Sequence, residues 1–143
     1  RKGSDKTIIK EIQISYKQDW QKQHWTAIQS AYNSSPYFEY YQDELQPFFE
    51  DKEKLLVDFN QKLQKVILEL LQEKDNTNFT KEFQHEGNFS DFRNHKWNSE
   101  QQEKYDQVFM EKYEFIPNLS IIDLLFNLGP ESSDYLHKLD IRR

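Results

Sequence analysis

The residues best equipped for chemistry fall into three groups. His24 stands in WQKQHWTAIQSAY with Trp25 beside it, and a ring that titrates near neutrality serves either as a packed hydrogen-bonding group or as an acid/base. Asp91 and Arg93 alternate in DFR, so on an extended segment they share a face. Such a pair either holds a phosphate- or carboxylate-bearing ligand through the guanidinium or fixes a loop as a structural ion pair. The third group lies in YDQVFMEKYEFIPNLSIIDLLFNLGP, residues 105–130, where Tyr105 and Gln107 alternate, Asn118 precedes a helix start, and Ser120 and Asp123 stand three apart. That last spacing is a capping box, with hydroxyl and carboxylate closing the first turn. Trp25, Tyr32, Tyr37, Tyr40 and Tyr41 add broad aromatic faces with polar tips, suited to stacking on sugars or bases and equally to a core.

Other chemistries have no residues to run them. There is no cysteine, which removes disulfides, thiolate nucleophiles and cysteine-ligated zinc. His85 and His95 flank DFR without metal-ligand spacing, so no metal or other cofactor is expected. With three glycines there is no glycine-built phosphate cradle, and no nucleophile elbow is present. A net charge of −6 argues against a general nucleic-acid binder. No apolar run approaches the roughly 20 residues of a membrane span, and the four N-x-S/T sequons are read as unmodified.

The elements that must position these groups follow from periodicity. At 143 residues one domain is expected, and 15% aromatic content predicts a core of Phe, Tyr and Trp. Thr7–Ser15 alternates as a strand, and a lone strand needs a neighbour, so its sheet is expected before Arg1. Asp19 is placed to cap a helix running to Tyr32, with Trp20, His24, Ala27, Ile28 and Ala31 as its apolar stripe. A short helix or turn surrounds Pro47. Asp51–Glu73 predicts the longest helix, with Leu55, Leu56, Phe59, Leu63, Val66, Ile67 and Leu70 at spacings of one, three and four. Short strands are predicted at 78–83 and around Tyr105–Phe109, and a last helix at Glu131–Leu139. The fold class expected is α/β: a helix-rich fragment of a mixed α/β domain, with the long amphipathic helix packed on a small sheet.

Taken in order, these motifs resemble one family. Trp20-x-x-x-His24-Trp25-x-x-Ile28-x-Ser30-Ala31-Tyr32-x-Ser34-Ser35-Pro36-Tyr37, then LLVDFN, DFR, Tyr105-x-Gln107-Val108-Phe109 and FIPNLSIIDLLFN are similar to the WbqC-like family, in its Bacteroidetes-type branch, from Ile9 to Leu136. The resemblance implies a bacterial cytoplasmic protein of O-antigen or other surface-polysaccharide biosynthesis. It further implies acyl or aminoacyl transfer to a nucleotide-linked amino sugar as a small-molecule substrate. It also makes residues 1–143 a single domain, the C-terminal two-thirds of the family's. The family's Tyr-Leu-Pro-like and Arg-Asn-Arg-like segments are not in this sequence, its Pro-Lys element is replaced by Asn94-His95-Lys96-Trp97, and its Tyr-Tyr-Gln reads Tyr105-Asp106-Gln107. By matching position it marks His24, Trp25, Ser30, Tyr32, Pro36, Tyr41, Asp91, Arg93, Tyr105, Gln107, Pro117, Asn118, Ser120 and Asp123. On that footing His24 is the candidate acid/base. Arg93, ordered by Asp91, binds an anion, and Tyr105, Gln107 and Asn118 hydrogen-bond a sugar beside Trp25, Tyr32 and Tyr41. The competing expectation is a noncatalytic docking module of the same pathway.

Overall fold

The computed structural model describes residues 8–80, 87, 89–92 and 102–139. Among them run six α-helices: α1 (Trp20–Tyr32), α2 (Phe38–Leu45), α3 (Leu56–Leu70), α4 (Met110–Tyr113), α5 (Ile121–Leu128) and α6 (Ser132–Lys138). There is no strand or sheet among the described residues, which corrects the expected α/β class and its helix-on-sheet packing. The alternation in IKEIQIS pairs at one point only, an antiparallel bridge between Gln13 and Leu55. Ile14 donates its N–H to Lys54 O at 3.1 Å and Leu56 to Ile12 O at 2.9 Å. Ahead of the bridge, Ile9–Glu11 wind into a 3-10 turn with Ile8 and Ile9 exposed, so no strand among the described residues covers them. Tyr105–Phe109 also alternates without a ladder, because its partners are side chains on other elements. Residues 78–80 carry no strand, and 81–83 lie outside the described residues.

The bridge sets where the long helix begins. Leu55 is held extended, so α3 starts at Leu56 rather than Asp51. The helix ends on a left-handed residue, Gln72, at φ 59°. Gln72 donates to Glu69 O at 3.0 Å and Glu73 to Leu68 O at 2.8 Å, the bonding of a Schellman motif. Leu63, Val66, Ile67 and Leu70 then pack against a core of Trp25, Phe38, Leu45 and Phe126. Here α3 meets helices and aromatic rings where the sequence predicted a sheet.

On α1 the inward face is turned from the expected stripe. Gln21 and Trp25 are buried and Ile28 and Tyr32 half-buried, while His24 and Ala27 are exposed. A buried amide must be bonded. Gln21 donates to the carbonyls of Phe48 (3.1 Å) and Asp51 (2.6 Å), which ties α1 to the 3-10 turn Gln46–Phe49.

A second core gathers Tyr105, Leu124 and Tyr135, with Phe115, Leu128 and Leu136 packed on it. The two cores share α5, since Phe126 enters the first and Leu124 the second. Pro130 has no N–H to return to the Phe126 carbonyl. Tyr37 supplies one from α2's leading edge at 3.0 Å. Proline thus opens a bonding position that docks the first half of the chain onto the last.

Candidate functional site

The carboxylate of Asp123 is the centre of the polar constellation that the fold assembles. Asp123 is in the first turn of α5 and is 3% exposed. The helix places it inward, and Ser120, at the N-cap, makes no side-chain bond to the first turn. The expected capping box is therefore not formed. The box's bonding is left to the main chain, with Asp123 N–H donating to Ser120 O at 2.9 Å.

Tyr105, also buried, donates its hydroxyl to Asp123 Oδ2 at 2.6 Å. Its ring is held edge-on by Tyr135 (5.2 Å between centroids) and Phe115 (5.4 Å). The Tyr32 hydroxyl, on the last turn of α1, is turned toward the same carboxylate. Burial first, and then Asp123, by its charge at Tyr32 and by its hydrogen bond at Tyr105, pushes both tyrosines well above the ordinary phenol range. Both therefore stay protonated at neutral pH and act as donors. Gln107 Nε2 reaches Asp123 Oδ2 at 3.4 Å, a long contact. Among the described residues no cation forms an ion pair with Asp123.

Asp123 floors a cleft of about 90 Å³ whose walls include Tyr32, Gln107, Phe109, Glu114, Ile116 and Leu119. Its outer rim is apolar and exposed: Phe109, Ile116 and Leu119 all face solvent, and Tyr113, also exposed, packs edge-on to Phe109. A larger, open hollow of about 460 Å³ lies across Tyr105, between Glu103 and Lys138. It holds acids and lysines side by side, and Tyr105 is the one member of the buried polar group that lines it.

The other expected site residues are dispersed. Trp25 is core, stacked on Phe38 and Phe49. Tyr41 packs against that core and stacks on Tyr37. His24 is exposed on α1, edge-on to Trp20 at 5.5 Å. It stands two turns before Tyr32, about 12 Å along the helix axis, and is not brought to Asp123. Asn118 is exposed at φ 58°, and its N–H donates to Gln102 Oε1 at 2.6 Å. Gln107 is committed to its neighbours, with Nε2 donating to Ile116 O and Oε1 accepting from Ile116 N–H, each at 2.9 Å. Asp91 is exposed and engaged, and Arg93, His85 and His95 lie outside the described residues.

Of the fourteen positions marked by resemblance, then, the fold brings Tyr32, Tyr105, Gln107 and Asp123 together. The sequence signal for Asp123 was its place between apolar Ile122 and Leu124, which also suits an inward carboxylate. Glu114, in the cleft wall, and Gln102, which accepts from Asn118 N–H, had no such signal. No cluster of His, Asp and Glu among the described residues could hold a metal ion. No helix among them is long and apolar enough to cross a membrane.

No curated protein and no solved structure matches the chain. The model of the WbqC-like protein family does, over residues 1–95 and again over 76–135, so that the two matches meet across DFR and between them include α1 to α5 and every residue of the Asp123 group: the chain belongs to the WbqC-like protein family.

Proposed function

We propose that the Asp123 cleft binds the amino-sugar end of a nucleotide-linked substrate and that the protein transfers an acyl or aminoacyl group to it, in bacterial cytoplasmic synthesis of an O-antigen-type surface polysaccharide. One observation carries the reading: a buried carboxylate, held by the Tyr105 hydroxyl and faced by Tyr32, floors a cleft open to solvent. A carboxylate fixed in this way can accept the proton that an amine loses as its nitrogen bonds to the acyl carbon and the acyl carrier departs. Asp123 takes the acid/base role here, not His24. Arg93, ordered by Asp91, takes the phosphates.

Size supports this division of labour. About 90 Å³ is room for an acetamido-sized group, the share of roughly three water molecules. A whole nucleotide sugar needs several times more. The nucleotide must therefore lie beyond the cleft mouth, against the rim or on residues outside those described.

A panel of nucleotide-linked sugars, screened by thermal shift, tests the reading. A ligand at 100 times its Kd adds about 2.7 kcal/mol, and a rise of roughly 5–10 °C is expected with an amino-sugar member of the panel. Asp123→Asn should abolish most of that rise while remaining folded. No shift with any member would defeat the reading. It would favour the noncatalytic docking module, which the exposed Phe109, Tyr113, Ile116 and Leu119 also suit.

A further inference from the structure

We propose that residues 114–118 are a hinged flap over the Asp123 cleft, held shut by a latch of two glutamines. The flap's boundaries are set by backbone conformation. Glu114 sits at φ 59°, ψ −167°, a region that essentially only glycine occupies without strain. Asn118 sits at φ 58°, in the left-handed region that asparagine tolerates. Between them lie Phe115, Ile116 and Pro117, and Glu114 and Ile116 form part of the cleft wall.

Three hydrogen bonds hold the segment, all from residues 102–107. Gln107 matches both main-chain groups of Ile116, accepting from N–H and donating to C=O at 2.9 Å, as a neighbouring strand would. Gln102 accepts from the N–H of Asn118 at 2.6 Å. Phe115 adds an apolar anchor, edge-on to Tyr105. These bonds are accessible to water, since Ile116 and Asn118 are exposed, so each contributes modestly. The strain at Glu114 is of the same order and opposes them. The closed position is therefore near balance.

The latch is wired to the site. The Nε2 that donates to Ile116 also reaches Asp123 Oδ2, and withdrawing Phe115 removes a wall of Tyr105. Opening the flap would widen a cleft that is too small for a nucleotide sugar. The idea thus deepens the proposed reading and rests on it for the ligand. The motion itself does not depend on that ligand. Gln107 becomes a positioning residue whose amide is occupied in the closed state.

Amide hydrogen exchange on the full chain, without ligand, tests this directly. Gln107→Ala should speed exchange at Ile116 and Asn118 by roughly tenfold, the scale set by loss of two exposed hydrogen bonds. Leu125 and Phe126, in buried α5, should keep their rates. Glu114→Gly, which removes the strain, should slow Ile116 several-fold, whereas Glu114→Ala should not. Should Gln107→Ala fail to fold, the two Glu114 variants decide the matter. Unchanged exchange at Ile116 in Gln107→Ala, acceleration spread equally through α5, or no slowing in Glu114→Gly would each overturn the flap. None of these outcomes depends on whether a nucleotide sugar binds.

Discussion

A Cβ placed on residue 129 would lie 2.5 Å from Cδ1 of Tyr37, on a backbone at φ +55°. Both facts require glycine, since the ring leaves no space and the dihedral penalises any side chain. Gly129→Ala should therefore cost roughly 2–4 kcal/mol, combining backbone strain with overpacking. Urea titration measures this, and a loss under about 0.5 kcal/mol would show that Tyr37 moves aside freely. That Gly129 ends a helix could be read from NLGP, because the stop is local chemistry. Its contact with Tyr37 could not, since nothing in the spacing tells which ring from the far half of the chain arrives there. Asp123 shows the same limit. Ser120 and Asp123 at capping spacing look alike whether the carboxylate turns out to the first turn or in to a hydroxyl. Only Tyr105, 18 residues earlier, and Tyr32 on α1 decide the question.

Helices were the legible elements, because their periodicity is written within a few turns. α1 and α6 lie where spacing placed them, and α3 is shorter at both ends than the expected Asp51–Glu73 for identifiable reasons. At the start, Leu55 is spent on the bridge to Gln13. At the finish, Gln72 takes the left-handed conformation of the cap. Strands were misread because alternation records which side chains share a face and says nothing about a neighbour for the main chain. In Tyr105–Phe109 that alternation serves Asp123 and the loop at Ile116 instead. The end of α3 is also improvable. Glycine occupies the position after a helix's C-cap at no steric cost, whereas Gln72 is strained there. Gln72→Gly should raise stability by about 0.5–1 kcal/mol, a gain of a few degrees in Tm. Calorimetry checks it, and a fall in Tm would mean that the Gln72 side chain makes a contribution larger than the strain.

Across the whole molecule, two cores meet through α5, and one half-buried carboxylate ties their outer ends. Glu73, just past α3, accepts from the Ser133 hydroxyl at 2.5 Å and faces the His137 ring at 2.7 Å, both on α6. α3 contributes to the first core and α6 to the second, so this clasp bridges them. The Ser133 hydrogen bond, followed by that of His137, holds the Glu73 carboxyl below its ordinary value of 4.5. A depressed carboxylate stabilises the fold above its unfolded-state pKa, and that contribution disappears as pH falls through the lower folded-state value. Wild type should accordingly lose the clasp below about pH 4.5. Glu73→Gln has no carboxylate to lose. Its Tm should lie below wild type at pH 6, where the clasp is intact, and the gap should close as pH is lowered toward 3. A gap that persisted at pH 3 would show that the Glu73 charge is not what holds α6 to α3. At pH 6 the loss should appear first in the exchange of α6 amides, since α5 retains its packing in both cores.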